Sequence, residues 1–339
     1  MKRFGNRTAG KLEFPDGKRF AFSILDDTDD TTVENVKPIY GLLEELGFRT
    51  TKTVWPLDCP EGSRLYFAAQ TLRDKPYLEF VHGLAKKGFE ITWHCATMES
   101  SERGRTIEGL ESFHREFGFY PKVHCNHGQN RENIYWGRKR YQSALVRTLA
   151  RLVRVAGTPE FSGEVESSPY FWGDLCQRHF TFVRNFTFYE INVLKCCPYF
   201  PYRLRSTPFV NYWFPTSDAP DVEAFNRLLT RDGLDTLCQE SGVSIISTHL
   251  GKGFCKNGQP NRQTADILRY LATLPGWFVP ASDILGFLMA ANRHAELGAV
   301  DLMKLELRHA ADRMQGRIKS WRRPNRVRGS LEAPKKTES

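Results

Sequence analysis

The sequence predicts an α/β fold, a parallel barrel with helices outside it. Strand and helix signals alternate along much of the chain, which implies parallel strands covered by helices. Reactive side chains fall at the ends of separate strands, where barrels gather their sites. The 339 residues are within the range of one such domain.

The elements follow in order. Residues 19–25 (RFAFSIL) are apolar and aromatic and predict a strand that ends in an acidic run. The helix after it carries Val36, Ile39, Tyr40, Leu43 and Leu46 at helical spacing and stops at Gly47. Pro38 is tolerated in its first turn if Asn35 is the cap. Residues 49–55 predict a second strand, 77–87 a helix, 89–94 (FEITWH) a third strand, 106–117 a helix and 121–124 a fourth strand. Between 135 and 235 the pattern is harder to follow, with a basic helix near 142–155 and aromatic-rich stretches. Regular alternation returns with a helix at 234–240, a strand at 243–248 (VSIIST), a helix at 263–274, a short strand at 277–279, and closing helices at 282–291 and 296–314. A single domain spanning 1–314 is expected, followed by a polar, basic and disordered tail at 315–339.

Charge excludes one obvious class. The formal net charge is +9, but the tail holds eight basic and two acidic residues, leaving 40 basic against 37 acidic in the body. Specific nucleic-acid binding is therefore not expected of the barrel; the tail is a solvated segment or a contact for anionic surfaces. Mean hydropathy is −0.47, and no apolar run approaches a transmembrane span. The start lacks the apolar stretch of a secretory signal, so a cytoplasmic location is expected. Eight cysteines without a C-x-x-C pair fit free thiols in a reducing compartment. Composition leaves the oligomeric state open.

Four strands finish in carboxylate or imidazole: Asp26-Asp27, His94, His124-Cys-Asn-His127, and His249. A shared metal or acid–base site needs that distribution, although paired Asp also cap helices and single His also pack. No nucleophile elbow, P-loop, dinucleotide fingerprint or H-E-x-x-H is present. His82, His114, His294 and His309 fall in helical segments and are expected at the surface. Asp29 and Asp30 are expected as solvated charges before a helix, with substrate contact as the alternative. The cluster Tyr212-Trp213-Phe214-Pro215 is expected in the core, with a glycan groove as the alternative.

These strand-end signals, in this order, resemble the polysaccharide deacetylase family (NodB homology, carbohydrate esterase family 4). Leu25-Asp26-Asp27-Thr28 is similar to its first motif, Gly88-Phe-Glu-Ile-Thr-Trp-His94 to its second, and Ser244-Ile-Ile-Ser-Thr-His249 to its last. Phe278 to Leu285 resembles its closing strand and helix. The likeness covers roughly residues 15–130 and 240–290 and implies an irregular seven- or eight-stranded TIM-like barrel.

The resemblance also implies roles. Asp26 would be the general base, Asp27 and His94 ligands of one divalent metal, zinc above others, and His249 the general acid. Two positions depart from the pattern. The second imidazole expected four residues after His94 is Met98, a poor zinc ligand, and the fourth strand carries His124-Cys-Asn126-His127-Gly-Gln-Asn130 where an Arg would orient the base. His127 is the preferred third ligand, with His124 or no metal as alternatives; His124 and Asn126 share a strand face and could orient the base. Trp93 and Asn130 are expected near the substrate, Trp93 stacking on a sugar ring or packing. The expected activity is metal-dependent hydrolysis of an N- or O-acyl group, acetyl above others, on a carbohydrate or acylated amino sugar. The alternatives are a degenerate glycan-binding barrel and a metal-independent glycosidase.

Overall fold

The computed structural model describes residues 11–60, 62–63, 69–152 and 160–321. Twelve strands occur among them: β1 (Phe20–Asp26), β2 (Thr51–Val54), β3 (Glu90–Trp93), β4 (Val123–His124), β5 (Phe182–Phe188), β6 (Tyr202–Arg203), β7 (Tyr212–Asp218), β8 (Val243–Thr248), β9 (Cys255–Lys256), β10 (Gln259–Pro260), β11 (Gly276–Phe278) and β12 (Ala295–Glu296). Seven of them close a parallel barrel in the order β1-β2-β3-β4-β5-β7-β8, with β8 returning to β1. β11 pairs with the first half of β1, while β2 pairs with its last residues. β6 joins β7 antiparallel and carries β12 at its far side.

Period-two alternation decides what each strand residue meets. On β1, Phe20, Phe22 and Ile24 pack with Val36, Ile39 and Leu43 of the helix Val33–Glu45. Ala21 and Leu25 turn the other way and join the cluster that holds Val243 and Ile245 of β8. Registered partners on parallel neighbours share a face. Asp26 and Lys52 are registered, as are Val54 with Trp93 and Trp93 with His124. This set faces the helices, and the residues alternating with it face the barrel interior.

The helix Val33–Glu45 is capped by Thr32, not Asn35. Thr32 Oγ1 accepts from the Asn35 backbone N–H at 3.2 Å, and the Asn35 side chain accepts from Thr32 N–H at 2.9 Å. Asn35 is thus the third residue of a capping box, and Pro38 lies beyond the first turn. The hard-to-read middle belongs to the barrel: it supplies β5 and β7, both buried almost throughout. Trp213 and Phe214 are core residues of β7. The basic helix occupies Ala144–Leu152; residues 153–155 of the expected span lie outside the described residues.

The closing helix Ala299–Trp321 runs past 314 into the expected tail, whose residues 322–339 lie outside the described residues. His309 on that helix is not at the surface; it is 1% exposed against Phe186 and Phe188 of β5. All eight cysteines are free. Among the described residues no helix is long and apolar enough to cross a membrane.

Candidate active site

The two adjacent carboxylates at the end of β1 part company. Asp26 shares the face of Phe22 and Ile24, so its side chain enters the helical layer. There Oδ2 accepts from Lys52 Nζ at 2.9 Å and from Tyr40 Oη at 2.7 Å, and Oδ1 accepts from Leu250 N–H at 2.8 Å. Both partners of the ion pair are fully buried. Asp27 takes the opposite face and enters the barrel mouth. Its carboxylate is gripped by the guanidinium of Arg184 on β5, at 2.9 Å (Nη1 to Oδ1) and 2.7 Å (Nη2 to Oδ2), the bidentate geometry that suits this pair. Ser247 on β8 also contacts both groups. Burial works to raise the Asp27 pKa, but Arg184, with His94 and His249, outweighs it and holds the carboxyl below its usual range.

The centre of the site is Asp29, two residues beyond the motif. Its Oδ1 lies 3.2 Å from His94 Nε2, and its Oδ2 lies 3.5 Å from His127 Nε2 and 3.3 Å from His249 Nε2. Lys252 Nζ stands 3.6 Å from the same oxygen. The Asp29 side chain is only 16% exposed, so it is not the solvated charge expected. Against the cost of burial, the imidazoles drive its pKa well down, while Asp29 raises those of His127 and His249. His94, more deeply buried, is pushed below the ordinary histidine value.

Asp29, His94 and His127 each offer a ligand atom within 4.8 Å of the others. Among the described residues, His94 Nδ1 is buried without a hydrogen-bond partner, and Asp29 Oδ1 is buried with only the approach to His94 Nε2. Two imidazoles and one carboxylate are a donor set that zinc accepts at a catalytic site, leaving a position open. These residues fit a divalent ion. Asp27 is 3.9 Å from His94 Nδ1 and occupied by Arg184, which places it beside this set. His249 donates Nδ1–H to the Pro220 carbonyl at 2.7 Å, which turns Nε2 into the site.

The remaining expected residues divide. Asn130 Oδ1 meets His127 Nδ1 at 3.0 Å, so Asn130 orients an imidazole and is itself 1% exposed. His124 faces outward, edge-on to Trp172 and Phe180, with Nε2 3.0 Å from Asn126 Oδ1; burial lowers its pKa to about 3. Asn126 also binds Ile134 N–H and O, which ties the loop to β4. Trp93 is fully buried against Phe180 and the helix Arg103–Phe117, away from the mouth. Met98 packs with Trp55, Cys59 and Cys95. Trp55, whose ring lies 4.8 Å from His94 and 4.9 Å from His127, walls the site. The sequence signals Arg184 only weakly: it is the one Lys or Arg in the aromatic-rich run HFTFVRNFTFYEI.

No family model matches the sequence, and no curated protein matches it. Solved structures do. A putative polysaccharide deacetylase from Mycobacterium smegmatis is similar over 86% of this chain and 97% of its own, at 14% identity and a TM-score of 0.53. A probable polysaccharide deacetylase from Pseudomonas aeruginosa PAO1 covers 83% and 94%, at 12% identity and 0.50. A structure described as Puue allantoinase covers 83% and 94%, at 11% identity and 0.50. With the closed seven-stranded parallel barrel, these likenesses give the chain the NodB-type (β/α) barrel fold of the polysaccharide deacetylases.

Proposed function

We propose that this chain is a metal-dependent deacylase that removes an acetyl or similar small acyl group from an amino sugar or related carbohydrate. The observation that carries this reading is the convergence of Asp29, His94 and His127 beside an arginine-held carboxylate and a fourth imidazole. Zinc or a similar ion held there would polarise the acyl carbonyl and acidify a water.

The chain's own residues supply the rest. Asp27, beside His94, is the group placed to take the proton from water, and Arg184 fixes its orientation. This moves the base from Asp26, whose side chain lies behind the strand in the helical layer, and moves the carboxylate ligand from Asp27 to Asp29. The arginine that orients the base comes from β5 instead of the end of β4. His249, with Nδ1 committed to Pro220, turns Nε2 into the site beside Asp29 Oδ2, from where it would carry a proton to the departing amine or alkoxide. A glycosidase using Asp26 and Asp27 is disfavoured, since the two side chains leave β1 on opposite faces. The free thiols support a reducing compartment such as the cytoplasm.

The test is acetate release from N-acetylglucosamine oligomers by protein stripped with chelator and reloaded with zinc or cobalt, with allantoin assayed in parallel. Release that vanishes on stripping and returns at about one ion per chain is expected. A chain that binds the ion yet turns over neither substrate class would sink the catalytic reading in favour of a glycan-binding barrel.

A further inference from the structure

His127 stands on the loop after β4, not on a strand, and something must hold its ring at an angle useful to a ligand. Asn130 supplies the contact through Oδ1, 3.0 Å from His127 Nδ1. The orientation of that amide follows from its other end. Nδ2 is surrounded by acceptors only: the Thr97 carbonyl at 3.1 Å, the Glu99 carbonyl at 2.9 Å and Glu132 Oε1 at 2.8 Å. The oxygen of Asn130 must therefore face the imidazole. It accepts Nδ1–H and leaves His127 Nε2 pointing toward Asp29, 3.5 Å away.

Glu132 ends this chain, and it is an unusual residue to find there. It is 1% exposed, and among the described residues no basic side chain forms an ion pair with it. Its second oxygen accepts from Ser101 N–H at 3.0 Å, and its own backbone carbonyl accepts from Trp172 Nε1. Burial without an ion-pair partner is costly to the charged carboxylate and raises its pKa to about 7, with His127 pulling the other way. If only hydrogen bonds were needed, a neutral side chain would serve at less cost.

We infer that Glu132 is a positioning residue for the metal ligand His127, acting through Asn130 in a carboxylate–amide–imidazole chain. Ligating histidines commonly pass their second N–H to a carboxylate, which fixes the ring and strengthens the nitrogen as a donor. Here an amide stands between the two. Its Nδ2–H groups are polarised by the carboxylate, so its oxygen becomes a better acceptor for His127 Nδ1–H. The arrangement explains how His127 can serve in place of the imidazole that the family resemblance expects at Met98. Gly163 is fitted to the same junction: a Cβ there would lie 2.0 Å from the Glu132 carbonyl oxygen.

The inference rests on the metal reading above, and the experiment separates the two. Zinc affinity is measured by competition with a chromophoric chelator for wild type, Glu132→Gln, His127→Ala and the double variant, with apo-protein thermal unfolding as the control for folding. Glu132→Gln should weaken zinc binding on the order of 10- to 100-fold, the usual worth of an outer partner. His127→Ala should weaken it more. In the double variant, Glu132→Gln should add almost nothing, because its effect runs through His127. A general structural role would instead weaken binding equally in both backgrounds, and that result overturns the inference, as does a Glu132→Gln protein that binds zinc like wild type. Should Glu132→Gln fail to fold, Glu132→Asp keeps the charge and withdraws it by one methylene. It should show the same dependence on His127 with a smaller loss, and its absence counts equally against the inference. A wild-type chain that takes up no zinc overturns the metal reading and this inference with it. That outcome is distinct, since it is read before any variant is compared.

Discussion

Asp26 and Asp27 are identical in chemistry and adjacent in sequence, yet one is structural and the other faces the site. The pleat of β1 makes the difference. Asp26 falls on the helix face in register with Lys52, and the pair is buried beneath Tyr40 and Tyr77. Burial alone would lower the Lys52 pKa, but Asp26 outweighs it and raises it, so the lysine stays charged. Lys52→Met should therefore cost about 3–5 kcal/mol, because it leaves an unpaired buried carboxylate. Adding Asp26→Asn should recover much of that loss. Urea unfolding of the three variants measures it, and a Lys52→Met protein as stable as wild type would contradict the pairing. Asp27→Asn should keep bound metal and lose turnover by roughly 10²–10⁴-fold, the scale of a positioned base. Asp29→Ala should lose the metal itself. Metal content and acetate release on the same preparations distinguish the two. The sequence displays the Asp-Asp pair plainly, but the face each side chain takes depends on where the strand begins. A one-residue shift in that start exchanges their roles.

Elements were legible where local signals were complete. Val243–Thr248 is an apolar β-branched run between a helix stop and a loop, and its bounds follow from those signals alone. β5 and β7 were obscure for a physical reason: both faces of each are covered, and buried polar residues (Arg184 and Asn185 in β5, Thr216 and Ser217 in β7) break the apolar alternation that marks a strand. The closing helix Ala299–Trp321 was legible as a helix, but the burial of its polar Glu306 and His309 was not. Glu306 on it accepts from Gln142 and Ser143 N–H, and His309 Nδ1 shares a hydrogen bond with the Tyr141 hydroxyl, 2.9 Å away. Burial, with Arg140 and Arg313 nearby, pushes the His309 pKa from 6.5 down to about 2. The folded state keeps this ring neutral, while the unfolded chain protonates it below about 6.5. Its contribution is then complete above pH 6.5 and is lost as pH falls from there toward 2. His309→Phe should flatten the pH dependence of unfolding between about pH 6.5 and 4.5 by about one proton, or about 1.4 kcal/mol per pH unit. An unchanged slope would mean that the ring is already charged in the fold.

At the scale of the molecule, the barrel brings residues far apart in the chain to one rim. Asp29 follows β1, His94 follows β3 and His127 follows β4, while Arg184 reaches the same mouth from β5 and His249 from the end of β8. The strand-end rule located most of this set in the sequence, but it could not rank Asp29. A carboxylate three residues past a strand is a loop residue until the turn that returns it is known. That turn is closed by Thr31 N–H to the Thr28 carbonyl and held by the Asn35 amide on the Asp30 carbonyl. An ion held by these three ligands would tie together the loops after three strands and would bind only the folded chain. Loading zinc at about 100 times its dissociation constant should then stabilise the protein by about 2.7 kcal/mol. For a domain of this size that corresponds to a rise of roughly 4 °C in the unfolding midpoint. The rise should vanish in Asp29→Ala and persist in Asp27→Asn, because on the proposed reading only Asp29 would hold the ion. Equal rises in both variants would place the ion elsewhere. Loss of the rise in Asp27→Asn with its retention in Asp29→Ala would return the ligand role to the first motif and leave Asp29 as the partner of His249 alone.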